Sequence, residues 1–303
     1  MSNEINLRPK ARAFVEALTA AALPPFEGGS PDHVRRLTAA LRAAGASRSL
    51  LYVADAVAGT VPVRVYANTD RPRATLVFFH GGGWVLGGLE DCDDFARDLA
   101  AETLCRIVSV GYRLAPEAPF PAALEDADVA LDWVSATFPQ QPIIVFGESA
   151  GGNIATVSAA RARDRGGPPL AGQILAYPVV DSAMDTGSYR QFAAGPLLTA
   201  PLMAWFWGHY ITDPERRRHP HASPIVADLA GLPPALVMTA ENDVLRDEGE
   251  AYAAALGSAG VQTRLRRYLG QIHTFLVLGL ADQDDGAMTD IAEFISTVTR
   301  TQA

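Results

Sequence analysis

The sequence predicts an α/β protein: a mostly parallel central sheet with helices on both faces. Three observations carry that expectation. Short apolar runs alternate with helical stretches from about residue 60 to the end of the chain. The runs at 74–79, 142–146 and 235–240 are apolar throughout, as strands covered on both faces must be. Between the second run and a stretch of small residues stands Gly147-Glu148-Ser149-Ala150-Gly151-Gly152, where a strand turns sharply into a helix.

The elements follow in order. Residues 1 to about 45 read as helix in two pieces, rich in Ala, Leu and Arg and split by Pro24-Pro25 and Gly28-Gly29. Leu37, Leu41 and Ala44 recur there at helical spacing. Residues 50–54 and 61–66 alternate like antiparallel strands. The strand at 74–79 ends in His80-Gly81-Gly82-Gly83-Trp84, and a helix is expected over 93–102. Residues 106–112 are strand-like, and 121–138 form a helix with Pro121 near its start, where a missing N–H costs little. The strand before Ser149 and a helix over 153–163 come next. Further strands are expected at 173–180, 235–240 and 261–268, with helices at 247–258 and 290–299.

One region breaks the rhythm. Residues 185–223 are rich in Trp, Phe, Pro and Arg and carry no strand signal. They read as an insertion over the C-terminal edge of the sheet. The expected organisation is therefore an N-terminal helical arm (1–48), a main domain in two pieces (49–184 and 224–303) and the insertion (185–223).

Composition narrows the function classes. With 303 residues, 49% of them hydrophobic, the chain can bury one large α/β core. A net charge of −9 offers no basic surface for nucleic acid. Two cysteines, Cys92 and Cys105, make no disulfide framework and read as reduced thiols of a cytoplasmic protein. Glu4, Arg8, Lys10, Arg12 and Glu16 interrupt the N-terminus, so no signal peptide is expected, and no stretch is apolar enough to span a membrane.

The chemistry centres on Ser149. A Gly-x-Ser-x-Gly bend is tight enough to strain the serine, lift its hydroxyl into solvent and set the Ala150 N–H at a helix N-terminus. Serine needs a base within hydrogen-bond reach, usually histidine. Of His33, His80, His209, His219, His221 and His273, only His273 follows the last strand. His219-Pro220-His221 lacks a third ligand at metal-site spacing, so no metal is expected. An acid should orient the base. Asp243 lies on the loop after 235–240, with Glu241 at the strand end as its rival; Asp247 and Glu248 suit a helix's first turn. Gly81-Gly82-Gly83 could present main-chain N–H groups to an oxyanion, with Gly82 and Gly83 favoured, together with Ala150. No Gly-Lys-Ser/Thr follows, so this is not a phosphate loop.

These motifs resemble one family. His80 to Trp84, Tyr112-Arg113-Leu114-Ala115-Pro116-Glu117, Gly147 to Asn153, Asp243-Val244-Leu245-Arg246-Asp247-Glu248-Gly249 and His273-Thr274-Phe275 occur in the order of the bacterial hormone-sensitive-lipase-like (family IV) esterases. The resemblance implies the α/β-hydrolase fold, a triad of Ser149, Asp243 and His273, and oxyanion donors Gly82, Gly83 and Ala150. It also implies a helical cap made of the arm and the insertion, with His80 bracing the glycine loop. A homodimer would be unsurprising for it. Asn242, Gly111 and Thr274 depart from the family pattern, and Asn242 and Thr274 are expected to reshape the pocket. Tyr112 to Glu117 reads as structural, with Arg113 and Glu117 in buried polar contacts.

The expected activity is hydrolysis of short to medium acyl esters through an acyl-enzyme, with no cofactor. Trp84, Phe192, Leu197, Leu198, Trp205 and Phe206 are candidates for the pocket wall; for any single one, anchoring the cap is the simpler role. Lactone opening and acyl transfer fit the same triad. A ligand-binding protein of this fold would be expected to lack His273.

Overall fold

In the computed structural model, which describes residues 6–40 and 47–300, one eight-stranded sheet organises the chain. Its strands are β1 (Tyr52–Ala58), β2 (Val61–Ala67), β3 (Thr75–Phe79), β4 (Arg106–Val110), β5 (Ile143–Glu148), β6 (Leu170–Ala176), β7 (Ala235–Asn242) and β8 (Thr263–Ile272). They lie in the order β1-β2-β4-β3-β5-β6-β7-β8. The pairings β1 with β2 and β2 with β4 are antiparallel, and the rest are parallel. The helices are α1 (Pro9–Ala21), α2 (Pro31–Ala40), α3 (Asp93–Thr103), α4 (Ala122–Thr137), α5 (Ala150–Asp164), α6 (Gly187–Gln191), α7 (Ala200–Tyr210), α8 (Arg246–Ser258) and α9 (Ala287–Arg300).

The strand periodicity of two divides the core. On β3, Val77 and Phe79 face one side and Leu76 and Phe78 the other. The first side is covered by α4, α5 and α8 through Leu124, Leu131, Ile154 and Leu256. The second is covered by α3 and α9 through Phe95, Leu99, Ile291 and Ile295. Every residue of β3 and β5 is buried, which explains their unbroken apolar sequence.

The strand order also sets where chemistry can happen. From β3 the chain moves to β4 on one side, then crosses to β5 on the other. The carboxyl ends of β3 and β5 therefore flank a topological switch point, where neighbouring loops diverge and leave a crevice. The glycine loop leaves β3 there, and Ser149 follows β5.

Some boundaries differ from expectation. The strand expected at 173–180 runs Leu170–Ala176, because the backbone turns out of the ladder at Tyr177 (φ 38°) just before Pro178. There Val179 N–H donates to the Ser149 carbonyl (3.2 Å) instead of a strand neighbour. The strand expected at 261–268 runs Thr263–Ile272, and Gly270 (φ +73°) lets it continue past Leu269. Leu41 and Ala44, read as helical, lie outside the described residues, as does Glu4.

The N-terminal segment touches two distant places. At its start, Arg8 N–H donates to the Gly270 carbonyl (2.9 Å) and the Arg8 guanidinium meets Asp285 (2.7 Å). On α2, Arg35 donates to the carbonyls of Val85 (2.9 Å) and Ala115 (2.8 Å) and pairs with both Glu117 oxygens (2.8 Å each). The insertion carries α6 and α7. Thr186 caps α6 by accepting from Tyr189 N–H, and Thr199 caps α7 by accepting from Leu202 N–H.

Candidate active site

Ser149 sits at the bend between β5 and α5 with φ 56° and ψ −121°, a conformation an L-residue holds only when its surroundings impose it. The glycines around it are steric necessities. A Cβ on Gly147 would lie 1.9 Å from the Gly151 carbonyl oxygen, and one on Gly151 would lie 2.0 Å from the Phe79 oxygen. The elbow is thus pressed against the end of β3. The expected exposure of Ser149 is corrected: it is only 5% exposed.

Ser149 Oγ lies 2.9 Å from His273 Nε2, and His273 Nδ1 lies 2.6 Å from Asp243 Oδ2. All three side chains are buried. Among the described residues no other histidine bonds to Ser149. His80 bonds within its own loop, His219 and His221 meet edge-on, and His209 packs on Trp205. The Asp243 carboxylate also accepts from Leu245 N–H (3.0 Å), which holds it at the start of its loop.

The β7/β8 edge aims the acid and the base. The ladder shifts register between Ala240 and Asn242, next to Gly270. Glu241, the rival acid, accepts from Gly270 N–H (2.7 Å) and is spent on holding this irregularity. Asn242 donates to the carbonyls of Gln271 and Asn6 (3.2 Å each). The expectation that Asn242 shapes the pocket is therefore corrected: its amide braces the strand that delivers His273. Thr274, at φ 59°, turns the chain away after the imidazole, and its hydroxyl donates to the His273 carbonyl (2.7 Å).

The sequence reading missed Tyr177. Its ring meets the His273 ring edge-on at 5.0 Å and Phe275 at 5.7 Å, walling the imidazole on one side. The signal for it is a tyrosine directly after an apolar strand, masked because the apolar run continues to Val180.

The glycine loop is tied down at four main-chain groups. Gly81 N–H donates to Glu148 Oε1 (2.6 Å). The Gly81 carbonyl accepts from His80 Nδ1 (2.8 Å), and the His80 carbonyl accepts from the Tyr112 hydroxyl (2.8 Å). The Gly82 carbonyl accepts from the N–H groups of Val85 and Leu86. Among the described residues, no acceptor faces the N–H of Gly82 or Gly83, or that of Ala150 at the first turn of α5. Burial drives the His80 imidazole down to about 4, so it stays neutral, and its ring stacks on Tyr112 at 4.2 Å. Burial pushes the Glu148 carboxyl up to about 7, against the opposing pull of His273 and the Gly81 N–H.

This geometry, a strained serine at a glycine-flanked elbow followed in chain order by its acid and its base, meets its counterpart in known proteins. Residues 76–277 match Abhydrolase_3, described by the alpha/beta hydrolase fold. The chain belongs to the Abhydrolase_3 family. It is 41% identical over 233 residues to carboxylesterase NlhH of Mycobacterium tuberculosis, covering 73% of this chain and 72% of that one. It is 37% identical over 242 residues to an ethyl acetate hydrolase of Pseudomonas putida, covering 75% and 76%. Its backbone matches the crystal structure of a thermostable esterase from Pseudomonas putida with a TM-score of 0.90, at 36% identity and 98% coverage of both chains. The expected fold and the resemblance to family IV esterases are borne out.

In this Abhydrolase_3 chain the six candidate pocket residues divide. Phe206 lies directly on the glycine loop, since a Cβ on Gly83 would fall 2.1 Å from its ring. Trp205, half-buried, meets Phe206 edge-on at 5.3 Å. Trp84 is fully buried, stacked on Tyr210 at 4.2 Å and leaning on Trp207, so it anchors α7 beneath the surface. Phe192 and Leu198 belong to the core that includes α7, whereas Leu197, partly buried, packs against the opposite cluster. Arg113 and Glu117 are corrected. Their side chains are 53% and 58% exposed; Arg113 pairs with the buried Asp126, and Glu117 with Arg35 on α2. No described helix is long and apolar enough to cross a membrane.

Proposed function

We propose that this protein is a serine carboxylic-ester hydrolase that works through an acyl-enzyme. One observation carries the reading: the continuous hydrogen-bonded line Ser149–His273–Asp243, at 2.9 and 2.6 Å, at the sheet's switch point. Ser149 Oγ attacks the ester carbonyl while its proton passes to His273 Nε2. Asp243 keeps Nδ1–H in place and stabilises the imidazolium. The carbonyl oxygen becomes an oxyanion, received by the N–H groups of Gly82, Gly83 and Ala150. Collapse expels the alcohol, which takes the proton from His273. Water then repeats the sequence on the acyl-serine, releasing the carboxylic acid and restoring Ser149. The relatives named carboxylesterase and ethyl acetate hydrolase support this reading.

The arm (1–48) and the insertion (185–223) act as a cap over the main domain (49–184 and 224–303). Phe206 against Gly83 and Arg35 against Val85 support that role. With an aromatic wall this close to the loop, short to medium acyl chains fit best, with Phe192, Leu197, Leu198, Trp205 and Phe206 near the substrate and Trp84 behind them. Two buried thiols, Cys92 and Cys105, suit a cytoplasmic setting. The edge of β8 ahead of the Arg8–Gly270 contact, with exposed Leu265, suits pairing with a second copy. The test is a nitrophenyl ester series from acetate to palmitate. The proposal expects kcat/KM to peak between two and eight acyl carbons; a maximum at long chains, or no turnover of any ester, would reject it.

A further inference from the structure

We propose that Glu148 is a positioning residue that sets the oxyanion loop by holding Gly81 N–H. This rests on the ester-hydrolase reading above and names a residue outside the triad. Glu148 ends β5 one position before Ser149, on the strand that pairs with β3. Phe79 pairs with Gly147, so the chain leaving β3 passes beside Glu148 as it enters the loop. The carboxylate is fully within the protein, and Oε1 accepts from Gly81 N–H at 2.6 Å.

The contact is a close fit as well as a hydrogen bond. A Cβ on Gly81 would lie 2.1 Å from Oε1, 2.6 Å from Cδ and 2.9 Å from Oε2. Gly81 is therefore glycine because this carboxyl lies directly beneath it. The bond fixes the peptide plane between His80 and Gly81, and the next two peptides follow from it. On the other side, the His80 and Gly81 carbonyls are held by Tyr112 and His80. The loop is thus clamped from both sides just before Gly82 and Gly83, whose N–H groups meet no acceptor among the described residues. Glu148 accepts no hydrogen bond from Ser149 or His273 and meets the imidazole only through charge, so a loss that Gln restores belongs to the loop contact.

An amide carbonyl accepts an N–H much as a carboxyl does, and Gln has the same length as Glu. This separates the hydrogen bond from the charge. Loop misplacement by about 1 Å costs on the order of 10²-fold in turnover. The experiment measures kcat and KM on nitrophenyl acetate for the parent, Glu148→Ala, Glu148→Met and Glu148→Gln, beside phosphonate labelling of the parent. Met fills the space without an acceptor, which guards against a cavity that stops Ala from folding. The expected result is a kcat loss of about 30- to 100-fold in Ala and Met, with KM within about threefold, and recovery by Gln of most of that loss. The proposal is overturned if Met turns over within threefold of the parent, if the loss lies in KM with kcat kept, or if Gln falls as far as Met. Failure of the parent to be labelled at Ser149 would instead remove the hydrolase reading, whatever the Glu148 variants do.

Discussion

Replacing Glu148 by Gln should change how stability depends on pH, and the structure gives the size. Burial raises this carboxyl from 4.5 to about 7 in the folded chain. In the unfolded chain it ionises at its ordinary value. The folded state therefore holds a proton that the unfolded state has already released across that interval. The stability this contributes is fully present below pH 4.5 and is lost as the pH rises through about 7. A separation of roughly 2.5 pH units at 1.36 kcal/mol each comes to roughly 3 kcal/mol. Gln carries no proton to lose. The constant cost of burying its amide shifts both ends of the comparison equally. His80, pushed down to about 4, contributes stability that is lost as the pH falls from 6.5 toward 4, but it does so in both proteins and cancels. Thermal unfolding of parent and variant at pH 4.5, 6 and 8 reads the difference. At about 2 °C per kcal/mol for a chain of this size, the gap should move in favour of Gln by about 6 °C between the ends. A gap that stays constant across the range would mean that Glu148 ionises in the fold as it does in water, and the account of its burial would fail.

Two further outcomes follow from the same geometry. Asp243→Asn should leave the fold intact and lower kcat by on the order of 10⁴, because the imidazole loses the acceptor that holds its Nδ1–H and supports its cation. Steady-state kinetics check this, and a loss under about tenfold would remove Asp243 from the role. Gly151→Ala drives a Cβ to 2.0 Å from the Phe79 oxygen and 2.5 Å from that of His80, both main-chain atoms at the root of the glycine loop. A shift of the urea midpoint equivalent to about 3 kcal/mol is expected, with turnover falling alongside; an unchanged midpoint would contradict the close packing of elbow on strand.

How much of this was legible in the sequence depends on how local the signal is. The buried strands β3, β5 and β7 announce themselves by unbroken apolar runs, and the elbow by glycines that a Cβ would push into neighbouring backbone. Ser149, Asp243 and His273 could be named because chain order restricts which loop each must occupy. The misreadings have a common cause. Tyr177 reads as strand because an apolar run does not reveal where hydrogen bonding to the neighbour stops. The strand β8 runs past the expected 268 because Gly270 is an irregularity within it that the Glu241 carboxylate holds in place. An elbow by itself raises its side chain, so exposure of Ser149 is the local expectation; His273, which meets it, lies 124 residues away in sequence. Trp84 carries the same lesson, since nothing near it in sequence says that Tyr210 will stack on its face.

The central claim is that Ser149 Oγ is the atom that attacks the ester. Incubation with a serine-directed phosphonate, followed by peptide mass mapping, tests it most directly. One adduct on the peptide carrying Ser149, absent in Ser149→Ala and matched by complete loss of ester turnover, is the predicted result. Labelling elsewhere, or an alanine variant that still turns over ester at the parent's rate, would contradict it.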